Sequence, residues 1–412
     1  MHTSRPEHPI LIIGGGVAGL ACATELHRAA YPFLLLEASD APGGRMRTDH
    51  LDGFTLDRGF QIFLTGYDYA SSLLDLDALD LHPFEAGSLI RWNNGFARFS
   101  DPWRRPARLF ETLFAGPGTL MDRFRIGRLR TMARSARHDD PPSDETAAQL
   151  FDRLHFTPQF RQAFLDPWWR GVLLDRQLTA PASYLKFIFN TFSQGGAVIP
   201  ARGIQSIPIQ LAQKLPTDSI RLNTTVHNID PNRHAVTLST GEQLSASSVI
   251  LAADLSSTAQ LLNQPAPSMH GTTVLYFAAD KPPVEDRMLV LNSNPEGNFN
   301  HLCVLSNICP ALAPAGASLI SVTAIHPILE PNDLQASIIK ELSTWFGPQI
   351  RTWRQLRTYT IPNALPPISR STALPLGITP AGDWTTTPSV EGAMRSGKQA
   401  AQSVMGTTNL AR

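Results

Sequence analysis

Short unbroken apolar runs recur along the chain and stop on glycine or an acid: Ile10 to Ile13 before Gly14, Phe33 to Leu36 before Glu37, and Val249 to Ala252 shortly before Asp254. Runs of this length and kind fit strands buried on both faces. Val17 to about Ala30 carries helical spacing, so the chain opens as strand, tight turn, helix, strand. Alternating positions around Thr240-Gly241 predict antiparallel strands joined by a turn, and TTVLYFAAD, LVLNSN and SLISVTAIH predict further strands. LQASIIKELSTWFG predicts an amphipathic helix ended at Gly347-Pro348. From about Gly66 to Asn190 helical patterns dominate, and aromatics and prolines become frequent.

The opening unit carries a specific chemistry. Gly14 permits the sharp turn, Gly16 lets backbone approach a pyrophosphate, and Gly19 allows helix and strand to pack closely. The helix that begins at Val17 and Ala18 offers unpaired N–H groups to an anion. Glu37 follows Gly19 by eighteen residues, the distance at which an acid reaches a ribose hydroxyl. Together these features predict a dinucleotide site.

Composition narrows the class. The 412 residues are 42% hydrophobic and 17% charged, enough for two domains with cores, and 35 basic residues balance 35 acidic ones. A neutral chain has no global field to draw nucleic acid. No apolar run is long enough to span a bilayer, and the dinucleotide signature starts too early for a leader, so a cytoplasmic location is expected. Cys22, Cys303 and Cys309 are too few for a disulfide framework, and no metal-ligand spacing is present.

After Glu37 and Ala38 come Gly43, Gly44, Arg45 and Arg47, then LDRGFQIF from Leu56 to Phe63. Near the other end, PAGDWTTTPSVEGAM places Gly382-Asp383 before Ser389 to Ala393 at a helix start. The two segments, in this order, resemble the flavin-binding motifs of the superfamily of flavin amine oxidases, protoporphyrinogen oxidases and phytoene-type desaturases. The resemblance implies an α/β protein: a doubly wound, Rossmann-like FAD-binding domain, discontinuous in sequence (1–65, 198–268 and 363–412), with an inserted mixed α/β substrate-binding domain (66–197 and 269–362). It implies that Glu37 holds the adenosine ribose and that Arg45 lies along the pyrophosphate or ribityl chain. Gly59, Phe60, Gln61 and Ile62 would pass the flavin ring, Val226 would contact the adenine, and Asp383 the ribityl chain. Val390, Glu391 and Ala393 would aim helix N–H groups at the ring. With no cysteine beside this last motif, FAD is expected to be non-covalent.

The resemblance is weaker in the substrate domain. It makes Trp168, Trp169 and Arg170 candidates for substrate contact, with Trp169 and Tyr359 the candidate catalytic residues. Amine oxidases commonly hold a lysine near flavin N5; the matching position here is Val274, and Lys281 lies at the following turn. Between Arg91 and Arg137 eleven arginines face three acids. On a helix from Leu120 to Arg137, Arg123, Arg130, Arg134 and Arg137 gather within about 60°, with Met121, Leu129 and Met132 opposite. A basic amphipathic helix suits peripheral contact with a membrane. The expected reaction is FAD-dependent removal of hydride from a C–H or C–N bond of a lipophilic small molecule, as in desaturases or protoporphyrinogen oxidation. The alternatives are flavin amine oxidation, FAD-dependent polyene isomerisation, and a flavin-free protein that binds prenylated proteins.

Overall fold

The computed structural model describes residues 8–101, 104, 116–265, 267–325, 331–368 and 374–410. Arg105, Arg108 and Glu111 of the basic stretch lie outside them. The opening apolar runs pair in a five-stranded parallel sheet, ordered 220–221, 33–36, 10–13, 248–251 and 378–380. Ile13 sits level with Leu36 on one side and with Leu251 on the other. All five strands point the same way, so Gly14, Glu37, Ala252 and Gly382 emerge at one edge. In open parallel sheets that carboxyl edge is where ligands bind. Helix Val17–Arg28 packs on the sheet beside the C-terminal helix Val390–Leu410.

A second sheet has seven strands, ordered 354–365, 270–279, 318–325, 301–304, 289–291, 87–92 and 95–100. Its pairings are antiparallel except between 289–291 and 87–92. Strand Arg354–Leu365 crosses the sequence position 362/363 at which one lobe was expected to give way to the other. Side chains alternate across this sheet. Val290, Leu302 and Val322 pack under Leu334, Ile338 and Leu342 of helix Pro331–Phe346, each such burial contributing about 1.5–3 kcal/mol. Leu291, His301 and Thr323 face the other way, into a cavity.

Helices between Leu120 and Gln194 roof that cavity. Helix Leu120–Ala133 starts at a reciprocal cap: Thr119 Oγ1 accepts from Asp122 N at 3.2 Å, and Asp122 Oδ2 accepts from Thr119 N at 2.8 Å. The helix ends at Ala133, so the four-arginine face expected to run to Arg137 does not form. Its buried side is Ile126, Leu129 and Ala133, and Arg123 and Arg130 turn toward the cavity. Its exposed large apolar residues are Leu120, Met121 and Phe124, Phe124 at 74%, beside the exposed Arg128 and Thr131.

Candidate active site

At the carboxyl edge of the parallel sheet the glycines do what their spacing predicts. Gly14 takes φ +112°, and a Cβ on Gly19 would stand 2.0 Å from the Gly14 carbonyl oxygen. Only hydrogen fits there. Above Gly16 the nearest atom to such a Cβ is 4.0 Å away, which leaves the helix start open to the cavity. No side chain caps that helix start and its first turn carries no acid, so its N–H groups and positive end remain available to an anion. Glu37 accepts from Gly15 N at 2.6 Å and from Ser39 N at 2.9 Å. Its carboxylate is thereby fixed at the rim of the glycine loop.

Arg45 and Asp383 come from opposite ends of the chain and pair at 2.6 Å. Arg45 also donates to the Ala364 carbonyl at 2.9 Å, and the Gln61 amide donates to the Arg45 carbonyl at 2.9 Å. Gln61 thus holds Arg45 in place as well as facing the cavity. Arg47 is nearly buried and donates to Asp40 at 2.7 Å and Ser39 at 3.1 Å, bracing the loop. All the candidate cofactor residues except Gly19 and Glu391 line one continuous cavity of about 1360 Å³. Gly19 works behind it, through packing. The Glu391 side chain turns away from the cavity: its carboxylate accepts from Tyr69 N at 3.1 Å and Ala70 N at 2.9 Å and pairs with Arg395. It ties the C-terminal helix to helix Asp68–Leu73, and Ser389, Val390 and Ala393 line the cavity from that turn.

Beyond Phe60 and Ile62 the cavity widens into an apolar chamber walled by Phe99, Phe164, Trp168, Phe189, Leu289 and Leu291. Trp169 contributes to the lining but is 1% exposed and stacks on Phe189, so it serves chiefly as core. Arg170 donates to the Arg176 carbonyl at 2.8 Å and lies outside the chamber. Tyr359 is also misplaced by the sequence reading. Its hydroxyl donates to Asp49 at 2.7 Å, and the same strand enters the cavity further on, at Ile361 and Asn363. Val274 is fully buried against Tyr276, and Thr272 is the residue of that strand that lines the cavity. Among the described residues no lysine does, and Lys281 is exposed at the surface.

Three polar side chains of the chamber escaped the sequence reading. Ser88, His301 and Thr323 sit on the cavity face of the large sheet, 0%, 2% and 2% exposed, and Ser88 Oγ, His301 Nε2 and Thr323 Oγ1 have no hydrogen-bond partner in the protein. The signal was present as polar residues on the buried phase of apolar strands, in HLCV and SLISVTAI. Arg104, Arg123 and Arg130 also line this end, with Asp101 and Glu85 as the neighbouring acids.

The sequence pattern of flavin containing amine oxidoreductases matches residues 17–405. The chain belongs to that family. The glycine cradle, the free helix start and the Arg45–Asp383 pair fit FAD, and one cavity holds them all. Among curated relatives, polyamine oxidase 3 of Oryza sativa subsp. japonica is 45% identical over 49 residues, 12% of this chain and 10% of that protein. The lycopene-forming phytoene desaturase of Pantoea ananas is 49% identical over 51 residues, again 12% and 10%. These matches therefore span about a tenth of the relatives' length. Whole-chain likeness comes from structures. An oxidoreductase from Methanosarcina mazei superposes with a TM-score of 0.74 at 18% identity, covering 97% of this chain and 100% of that one. Putrescine oxidase bound to putrescine gives 0.72 at 18% over 98% and 100%, and reduced UDP-galactopyranose mutase 0.69 at 16% over 97% and 96%. At these identities the likeness shows the fold alone. Among the described residues no helix is long and apolar enough to cross a membrane.

Proposed function

We propose that this family member oxidises a lipophilic small molecule by removing hydride from a C–H bond, with FAD bound non-covalently. The observation that carries the reading is the single cavity that runs from the glycine loop into an apolar, aromatic chamber. Its volume of about 1360 Å³ exceeds the range of roughly 300–1,000 Å³ common for one drug-sized ligand, which leaves room for a dinucleotide and a substrate together. FAD, when bound, supplies the hydride acceptor. The chain's own residues bind and orient. The helix start at Val17 would hold the diphosphate, Glu37 the ribose, and Arg45 with Asp383 the chain leading to the ring. The N–H groups at Val390 would stabilise negative charge on the reduced ring, and the chamber walls exclude water and hold the reacting carbon close. Non-covalent attachment is supported by the cysteines: Cys22, Cys303 and Cys309 are buried and none lines the cavity.

Amine oxidation has less support. The chamber lacks a lysine among the described residues, and its charged end presents three arginines, Arg104, Arg123 and Arg130, against two acids, Asp101 and Glu85, a balance that gives a cationic substrate little attraction. A membrane-facing entrance fits a lipophilic substrate, because Phe124, Met121 and Leu120 are exposed on the helix whose other residues, Arg123 and Ile126, line the cavity. Co-sedimentation with phosphatidylglycerol vesicles that is lost in Phe124→Ser supports that entrance; sedimentation unaffected by the change removes it.

The purified protein is expected to be yellow, bleached by anaerobic dithionite, and to release all its FAD on heating. Anaerobic mixing with polyenes, a porphyrinogen and amines then asks which class bleaches the flavin. Bleaching by amines alone overturns the reading of a lipophilic, non-amine substrate. Product formation without consumption of any electron acceptor replaces oxidation with isomerisation. A colourless protein that ignores added FAD brings forward a flavin-free binding protein.

A further inference from the structure

His301 and Thr323 are directly opposite one another on neighbouring antiparallel strands. Cross-strand partners on one face hold their side chains within about 5 Å. Both face the chamber, and neither His301 Nε2 nor Thr323 Oγ1 has a partner in the protein. An unpaired buried polar atom costs about 1–3 kcal/mol. Two of them side by side in a cavity call for a ligand that pairs with both.

The proton on the histidine can be placed from its neighbours. Asn300 Nδ2 donates to the Pro167 carbonyl at 2.9 Å, which marks that atom as the amide nitrogen. The same nitrogen lies 3.1 Å from His301 Nδ1, so Nδ1 accepts and the neutral ring carries its proton on Nε2. Burial pushes the imidazole down to about 4, so the ring stays neutral in ordinary buffers. It is also held in position: Phe60 meets it edge-on at 4.9 Å, and a Cβ on Gly171 would stand 3.2 Å from Nδ1. His301 is therefore a fixed, uncharged donor, and the Thr323 hydroxyl beside it can donate as well. Two neutral donors match the two lone pairs of one oxygen, and they lack the charge that burying a carboxylate would demand.

We propose that His301 and Thr323 form a subsite for an uncharged carbonyl oxygen on an otherwise apolar substrate, with Nε2–H and Oγ1–H donating to its two lone pairs. The proposal rests on the chamber being the substrate's, and it holds whether or not oxidation occurs there. Ser88, unpaired on the same face two strands over and two residues along from His301 (~12 Å), offers a further hydroxyl to the same molecule.

The test is calorimetric titration of the FAD-loaded protein with acetylnaphthalene and ethylnaphthalene, a pair that differs by a carbonyl oxygen in place of two hydrogens. In a chamber without donors the ketone binds more weakly, because it gives up hydrogen bonds to water. With the subsite the ketone should bind about tenfold more tightly than the hydrocarbon, as one net hydrogen bond allows. The preference should reverse in His301→Phe, shrink in Thr323→Val, and survive in part in His301→Gln, whose amide keeps a donor near the same place. Absence of ketone binding, absence of a ketone preference, or a preference that persists in His301→Phe overturns the subsite. The absorption maximum and midpoint potential of the ligand-free flavin should be unchanged in all three variants. A shift in either would assign the Nε2–H to the flavin and would likewise overturn the proposal. A ketone preference in a protein whose flavin no substrate reduces leaves the subsite standing and removes the oxidoreductase reading.

Discussion

The two ends of the cavity are built on opposite plans. At the nucleotide end the polar side chains are committed to the protein: Glu37 to Gly15 and Ser39, Arg45 to Asp383 and Ala364, and Gln61 to the Arg45 carbonyl. What faces a ligand there is chiefly backbone at the glycine loop and at two helix starts. In the chamber the backbone is tied up in a sheet, and what faces a ligand is the unpaired atoms of His301, Thr323 and Ser88 among aromatic side chains. A site made of backbone depends on a few glycines in fixed order, whereas a site made of side chains depends on which strands happen to be neighbours. The first can be read locally. The second appears only once the sheet is assembled.

The contrast predicts unequal tolerance of one added methyl or isopropyl group. Gly19→Val should abolish the folded, flavin-binding protein, since its Cβ would stand 2.0 Å from a backbone oxygen that cannot move without breaking the turn. Gly171→Ala in the chamber wall meets the end of the Asn300 side chain, at 2.9 Å, and then His301. Those groups can shift, so this variant should fold and carry one FAD per chain while losing its grip on ketone ligands. Flavin stoichiometry by absorbance reads both. A Gly19→Val protein with full FAD would erase the distinction between the two ends.

The same distinction explains what could be read in the chain beforehand. The parallel sheet, the glycine turn, the acid at Glu37 and the second motif at Asp383 are each set by neighbours within a few residues, and each lies where its pattern puts it. Glu391 sat inside a recognisable motif, but which way its side chain turns depends on helix Asp68–Leu73, which is more than 300 residues away in sequence. The same holds for Arg123 and Arg130. Helical spacing grouped them with Arg134 and Arg137, yet the helix stops at Ala133 and the fold places the first two against Phe99, Phe160 and Asp101. His301 left only a weak signal, a polar residue on the buried phase of an apolar strand, which points to no role until Thr323 is beside it.

A pH experiment sharpens the comparison energetically. His301, in the chamber, has its folded value pushed by burial below the usual one, to about 4. The unfolded chain takes up that proton first, so this residue's contribution is present at neutral pH and is lost as pH falls from about 6.5 to 4, by up to about 3 kcal/mol. Asp57, half-buried at the base of the loop that leads to Gly59, is pushed by desolvation up to about 6. There the folded state keeps the proton, so its contribution is present in acid and is lost as pH rises from about 4 to 6, again by about 3 kcal/mol. Between those limits the two slopes oppose each other. In His301→Gln the opposition is gone, and the slope of stability against pH between 4 and 6, from urea midpoints, should be more negative than in the native protein. Equal slopes in the native protein and the variant would mean that the buried imidazole is not neutral in the folded state.

The smallest expected effect tests where the chamber begins along strand Arg354–Leu365. Tyr359 and Ile361 lie on the same phase of that strand, so their difference is one of position along it rather than of face. Tyr359 is anchored outside the cavity by its hydroxyl on Asp49, which also holds Arg58 at 2.9 Å. Tyr359→Phe removes one hydrogen bond to a charged partner, about 1–2 kcal/mol of stability, and should leave FAD content, flavin absorption and turnover unchanged. Ile361 approaches the ring-side segment itself, since its Cδ1 is 2.7 Å from where a Gly59 Cβ would be. Ile361→Ala opens space beside Gly59 and should shift the flavin absorption maximum even where stability changes little. If instead Tyr359→Phe moves the flavin spectrum and Ile361→Ala does not, the boundary between the two ends lies further toward Arg354, and the tyrosine belongs to the site after all.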